Sequence, residues 1–188
     1  MQLKDHIKVF DKVLPATVVA NMIKSFNKFL KFEDAKTVGE SKATKKVRNN
    51  EIAALNVLDQ SLTIVHWTNL LISVVRNLVL KYSQDYMERE FVSKVLDVSV
   101  LKYKEGDFYK PHTDHHANIP RTCSIVIFLN NDYEGGELEF LSPDGDKIIK
   151  TIKPEVGKAV VWPSNFLYPH TAKSIKKGTR FAIVSWVL

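Results

Sequence analysis

Two histidines and an aspartate stand where they could grip a metal: His112 and Asp114, separated by one residue, and His170, with Arg180 ten residues further on. Two imidazoles and one carboxylate make up the ligand set of a facial iron(II) site that leaves other coordination positions open. Side chains at i and i+2 of an extended segment point the same way, so His112 and Asp114 can hold one ion from one side. A His-x-Asp tripeptide alone fits a polar loop equally well; the distant His170 and Arg180 supply the specificity. The remaining histidines read differently. His6 and His66 fit a surface or a polar helix stripe, and His115 and His116 line an entrance, because neighbours in an extended chain point apart from Asp114.

These residues need elements that bring them together. From about residue 92 the chain runs in short apolar stretches broken by Gly, Pro, Asn or Asp: Val95 to Tyr103, Thr122 to Leu129, Glu137 to Leu141, Lys147 to Ile152, Lys158 to Trp162 and Arg180 to Val187. Short strands at this spacing predict a sandwich or jelly roll. On the last run, alternation puts Arg180, Ala182, Val184 and Trp186 on one face, and a charge on an apolar inward face needs an anionic partner. Turn residues follow the same division, since Pro15 and Gly39 are the only Pro and Gly before residue 105 and six of each follow.

The N-terminal part predicts helices. Residues 15 to 31 carry Val18, Val19, Met22, Ile23, Phe26, Phe29 and Leu30 at helical spacing, with Pro15 suited to the first turn. Residues 60 to 87 form a longer helix, whose polar His66, Asn69, Ser73, Arg76 and Asn77 share a stripe and mark it as a buried helix rather than a membrane span. Between the helices, Lys36 to Arg48 holds five basic residues and one acidic residue, either a solvated loop or a basic flap that guides substrate.

Composition bounds the class. Of the 188 residues 45% are hydrophobic and 26% charged, an ordinary globular balance for one domain, and the net charge of +6 fits nucleic acid, an acidic protein or solubility alone. A single cysteine, Cys123, excludes an intramolecular disulfide and favours a reducing compartment; with a charged N-terminus lacking an apolar signal core, the expectation is a cytoplasmic protein without membrane attachment.

The run Tyr103 to Asp114, the strand Ser124 to Asn130 with the Glu134 to Phe140 segment, then Pro169, His170 and Arg180, together resemble the iron(II)- and 2-oxoglutarate-dependent oxygenases. Within them the likeness is to prolyl 4-hydroxylases and related bacterial and phage hydroxylases. It covers roughly residues 95 to 188, and Val47 to Asn50 looks like a short upstream element of the group. The resemblance implies an α+β chain built as a double-stranded β-helix, a jelly roll braced by N-terminal helices. Residues 1–91 would be mainly helical support and basic loop, and residues 92–188 the catalytic core of a single 1–188 domain. It further implies that His112, Asp114 and His170 hold iron(II) and carry catalysis. Arg180 would meet the far carboxylate of 2-oxoglutarate, Tyr103 would hydrogen-bond the same end, and Trp186 would be an aromatic near the site, a position that core packing explains equally well. Ascorbate is a further small molecule the likeness suggests.

The implied reaction couples decarboxylation of 2-oxoglutarate by dioxygen to hydroxylation of a C–H bond, with succinate and carbon dioxide released. Asp114 favours hydroxylation, since related halogenases leave the carboxylate position empty for a halide. A peptide or protein substrate, with proline as the target, is the leading expectation. A nucleic-acid demethylase is the alternative, disfavoured because those enzymes usually carry a second arginine where this chain has Trp186. A catalytically silent jelly-roll binding module is the second alternative.

Overall fold

The computed structural model describes residues 2–36, 44–58, 60–87, 94–115 and 118–188. After a short 3-10 turn (Leu3–His6) the chain forms β1 (Lys8–Phe10), α1 (Ala16–Phe29), β2 (Glu33–Asp34), β3 (Arg48–Asn49), β4 (Glu51–Ala54) and α2 (Leu62–Ser83). Among the described residues ten strands follow: β5 (Val95–Tyr103), β6 (Phe108–His112), β7 (Cys123–Phe128), β8 (Glu134–Gly135), β9 (Leu138–Leu141), β10 (Ile148–Ile152), β11 (Ala159–Pro163), β12 (His170–Ala172), β13 (Ile175–Lys177) and β14 (Arg180–Val187).

The described strand pairs are all antiparallel and build two facing sheets, seven strands in the order β1-β11-β7-β14-β5-β4-β2 and five in the order β10-β9-β12-β6-β3, with β13 and β8 as a small ribbon. This is the expected double-stranded β-helix. Period-two alternation gives the large sheet two apolar faces. Val100, Ile125, Ile127, Val161 and Ile183 pack against the helices; Leu101, Val126, Phe128, Val160 and Ala182 turn the other way, toward Leu138, Phe140 and Ile152 of the small sheet. Two hydrophobic layers therefore flank one sheet, and the cavity opens within the second.

The helices form where apolar periodicity requires a buried stripe. In α1 the buried residues are Val19, Met22 and Phe26, three and four apart on one face. Pro15 is the cap before the helix rather than part of its first turn: its backbone is extended at φ −63° and ψ 143°, and its carbonyl accepts from the Val19 N–H at 3.0 Å. In α2 the Ser61 hydroxyl accepts from the Ile64 N–H, the arrangement of a stabilising N-cap. Ile64, Leu71, Val75, Leu78 and Val79 are buried while His66, Asn69, Ser73, Arg76 and Asn77 stay exposed.

The N-terminal part is less helical than its periodicity suggests. β1 extends the large sheet at one edge, β4 and β2 at the other, and β3 extends the small sheet by pairing with β6. Strands of two to four residues are too short to display alternation, and only tertiary pairing makes them strands. Of the basic stretch from Lys36 to Arg48, residues 37–43 lie outside the described residues. Beyond them a turn, in which the Thr44 carbonyl accepts from the Val47 and Arg48 N–H groups, delivers Arg48 into β3.

Two glycines with positive φ make opposite demands. Gly145, at φ +84°, has open space where a Cβ would sit, whereas Gly135, at φ +79°, would drive a Cβ into the Ser174 carbonyl oxygen across the β8/β13 ribbon. Gly145→Ala should cost about 1–2 kcal/mol for the left-handed backbone alone. Gly135→Ala should cost clearly more, because backbone must also move. Urea denaturation of both variants, at unchanged m, checks the order.

Candidate active site

His112 ends β6 and His170 begins β12, and the two face each other across the ladder as register partners. Asp114 lies in a bend beyond the end of β6, so strand alternation stops at His112 and does not itself aim the carboxylate. Its position comes from β7: the Ser124 hydroxyl donates to Asp114 Oδ2 at 2.6 Å, and Ser124 in turn shares a 2.7 Å hydrogen bond with the Ser164 hydroxyl. Three strands and one bend thus converge on a point. The ligand atoms of His112, Asp114 and His170 lie within 4.8 Å of one another, with His112 Nε2 to Asp114 Oδ1 at 3.9 Å and His170 Nε2 to Asp114 Oδ2 at 3.6 Å.

The imidazoles are oriented for coordination. Each Nδ1 contacts a main-chain carbonyl, Lys110 O at 2.8 Å for His112 and Tyr168 O at 3.1 Å for His170. A carbonyl only accepts, so each Nδ1–H donates to it, and each Nε2, the nitrogen that faces Asp114, is left to meet a metal. The three donors are close enough together that His112, Asp114 and His170 would hold one cation between them. Ring contacts hold the imidazoles in place: Tyr109 stacks on His112 at 3.5 Å between centroids, and Trp162 meets His170 edge-on at 5.0 Å.

Burial lowers the His112 pKa to about 3, with repulsion from His170 adding to the effect and Asp114 opposing it. For Asp114, burial works against the charge, but attraction to His170 and His112 and the Ser124 hydrogen bond outweigh it and hold the carboxyl below its ordinary value. The pair is therefore poised as a neutral imidazole and a carboxylate, the protonation states a divalent cation requires.

These ligands open into a cavity of about 320 Å³, the size of a small-molecule site. Leu101, Val126, Leu138, Ala172 and Val184 give it apolar walls, and Tyr103, Arg180 and Trp186 line it as well. Arg180 and Tyr103 are register partners on β14 and β5, and the guanidinium lies 5.0 Å from the centroids of both Tyr103 and Phe128. Arg180 is 2% exposed, donates to the Gly136 carbonyl at 3.0 Å, and has a buried Nε without a hydrogen-bond partner. Among the described residues no carboxylate forms an ion pair with it. Such a charge is stabilised when an anion enters beside it.

All six residues singled out from the sequence, His112, Asp114, His170, Tyr103, Arg180 and Trp186, line this one cavity. His115 is exposed at its rim, as expected of an entrance residue, and His116 lies outside the described residues. His6 bonds Tyr86 and His66 sits against Trp67, both outside the cavity. Three more residues matter here; Ser124 and Arg121 were not singled out from the sequence, and Arg48 was read only as part of the basic stretch and of the Val47 to Asn50 element. Ser124 is a hydroxyl inside a wholly buried strand, which requires a partner. Arg121 lines the cavity with its guanidinium 3.9 Å over the Trp186 ring and donates to the Asp114 carbonyl at 3.2 Å; Arg48 enters from β3 and lies 4.7 Å over Tyr109. A lone arginine before a strand carries no local signal of such a role.

Known proteins share both the sequence pattern and the architecture. Residues 98–188 match the model of the 2OG-Fe(II) oxygenase superfamily. Human prolyl 3-hydroxylase 2 is 35% identical over 66 residues, which make up 35% of this chain and 9% of that protein; the chicken protein is 36% identical over 66 residues, 10% of its length. The alignments thus span about a tenth of these relatives. Among solved structures, a prolyl hydroxylase from Trichoplax adhaerens, in complex with a hypoxia inducible factor oxygen degradation domain peptide fragment, superposes with a TM-score of 0.78 at 17% identity, covering 97% of this chain and 83% of that one. A Pseudomonas putida prolyl-4-hydroxylase gives a TM-score of 0.76 at 20% identity, covering 97% and 92%. At these identities the structures establish the shared fold.

Ser124→Ala leaves Asp114 without its orienting donor and should weaken metal binding about 10–100-fold, as loss of a ligand's hydrogen-bond partner typically does, while the fold persists; anaerobic manganese(II) titration checks it. In the metal-free protein the unfolded chain protonates His112 near its ordinary value of 6.5, the folded one only near 3. Stability should therefore fall as pH drops through 6.5 toward 3, with Asp114 adding loss below its ordinary 3.8. Chemical denaturation at stepped pH should show a shallower decline for His112→Gln.

Proposed function

We propose that the chain, whose residues 98–188 match the model of the 2OG-Fe(II) oxygenase superfamily, is a member of it: an iron(II)- and 2-oxoglutarate-dependent dioxygenase that hydroxylates a C–H bond in a prolyl residue of a peptide or protein. The observation that carries the reading is Arg180, a buried guanidinium without an acidic partner among the described residues, in the same cavity as a two-histidine, one-carboxylate cluster. A dianion that can chelate a metal at one end and offer a carboxylate at the other matches both demands.

In this reading His112, Asp114 and His170 hold the metal from one side and leave the cavity side open. When bound, iron(II) and 2-oxoglutarate supply the oxidation of an unactivated C–H bond by dioxygen, with succinate and carbon dioxide as co-products. The chain's own residues do the positioning. Arg180 receives the distal carboxylate with its planar fork, held by the Gly136 carbonyl and braced between Tyr103 and Phe128. Tyr103, 2% exposed, completes that end. Ser124 keeps the Asp114 carboxylate aimed, and the Lys110 and Tyr168 carbonyls keep the two Nε2 lone pairs aimed. Apolar walls from Leu101, Val126, Leu138 and Val184 keep water away from the reacting groups. Proline as target draws its support from the matched relatives, which are named as prolyl hydroxylases.

Aerobic incubation with iron(II), 2-oxoglutarate and a panel of proline-containing peptides, read by succinate formation and by product mass, tests the reading. Succinate release coupled to gain of one oxygen atom by a peptide supports it. Coupled oxidation only of methylated oligonucleotides would replace it with demethylation, and no succinate with any substrate would leave a binding module. Arg180→Ala should remain folded and bind manganese(II), yet bind 2-oxoglutarate more weakly by about 2–5 kcal/mol, the usual loss when one partner of a buried charge pair is removed. Arg180→Lys should fall between, keeping the charge but losing the fork; anaerobic titration of the metal-loaded variants measures both.

A further inference from the structure

The cavity holds more positive charge than its bound groups would neutralise. Arg48, Arg121 and Arg180 all line it, and Asp114 is the one acidic residue among the described lining groups. On the proposed function, iron(II) and the 2-oxoglutarate dianion cancel, and Asp114 balances Arg180. Arg48 and Arg121 are left over. Burial disfavours the charge on Arg121, and Arg48 adds to that effect against the pull of Asp114 and Asp97.

Both guanidiniums are held in place rather than free in solvent. Arg48 is 9% exposed, donates from Nε to Asn50 Oδ1 at 2.8 Å and from a terminal nitrogen to the Lys36 carbonyl at 3.2 Å, and rests on Tyr109. Arg121 donates to the main-chain carbonyl of the metal-ligand residue Asp114, lies over Trp186, and keeps a buried Nε without a hydrogen-bond partner. Neither forms an ion pair with a carboxylate among the described residues. Two rigid, partly desolvated cations beside one opening select for an anion, and less side-chain freedom is lost when it binds.

We propose that Arg48 and Arg121 form an acid-selecting clamp at the mouth of the site, which favours peptides carrying an aspartate or glutamate within a residue or two of the proline to be hydroxylated. The short range follows from Arg121, whose hydrogen bond to the Asp114 backbone ties it to the metal cluster itself. A nucleic-acid phosphate would also answer the charge. Bases, however, bind single-strand sites by stacking on open aromatic faces. In this cavity Trp186 is covered by Arg121, Tyr109 is stacked on His112, and Trp162 packs edge-on against Phe140 and His170.

The clamp rests on the peptide reading above, and one experiment separates the two. The full chain is loaded with manganese(II) and 2-oxoglutarate without oxygen, and binding is measured by fluorescence anisotropy for labelled peptides of equal length with Asp, Asn or Lys flanking a central proline, and for a thymidine oligonucleotide. Asp peptides should bind roughly ten-fold more tightly than their Asn counterparts, with Lys weakest, as expected for an added charge pair. That advantage should shrink with salt, collapse in Arg121→Gln and Arg48→Gln, and return in part in Arg121→Lys, which controls for misfolding. Equal binding of Asp and Asn peptides would overturn the clamp and leave the peptide reading standing. Binding of the oligonucleotide alone, or of no peptide at all, would overturn both.

Discussion

A guanidinium sealed between two sheets of apolar side chains, with no acid beside it among the described residues, is a state that desolvation opposes strongly, and the rest of the architecture is organised around tolerating it. Arg180 is fixed at the start of β14 by the same alternation that turns Ala182 and Val184 into the second apolar layer. Its protein hydrogen bond, to the Gly136 carbonyl, and its aromatic neighbours offset only part of the desolvation. On the proposed function, the remainder would be met when a carboxylate enters the cavity.

The cluster of His112, Asp114 and His170 answers a related constraint with opposite sign. Asp114 is a buried carboxylate whose closest partners are two imidazoles and a serine hydroxyl rather than a lysine or arginine side chain. Negative charge at one place in the cavity and positive charge at another divide it into a half that attracts a cation and a half that attracts an anion. On the proposed function, one ligand bearing a chelating end and a distal carboxylate would span both, and the apolar walls between them would give it shape and keep water away.

Much of this was legible in the chain. Six of the ten strands described after residue 92, β5, β7, β9, β10, β11 and β14, were bounded within a residue or two by their turn signals, whereas β6, β8 and β13 were not read, and β14 could be read face by face, because alternating buried runs are a strong pattern. The helices followed from three-and-four spacing, which set the second at residues 60 to 87; α2 runs from Leu62 to Ser83, and the Ser61 cap that starts it is a signal that spacing does not carry. β3, β4 and β12 were less visible: Arg48 and Asn49 become a strand only by lying beside Tyr109 and Phe108, and His170 to Ala172 only between β6 and β9. The aim of Asp114 was read from strand geometry and belongs instead to Ser124, ten residues later on another strand. Arg121 was hidden for the same reason, and Arg48, though read within the basic stretch and the Val47 to Asn50 element, gave no sign of its place in the cavity, since what matters is what faces these residues and not what adjoins them in sequence.

The register of β12 against β6 also bears on how the protein comes into being. His112 and His170 are opposite one another in the ladder but distant along the chain, and Asp114 is aimed from a third strand. No segment emerging during synthesis contains the complete cluster, and partial sets hold a metal weakly. The centre therefore comes into existence only as the jelly roll closes, after the slow non-local pairings of such a topology have been made. On the proposed function, a chain still folding would have no competent centre with which to activate oxygen, so its exposed side chains would be spared damage of its own making, and loss of metal on partial opening would switch the chemistry off at the same moment as the shelter that contains it.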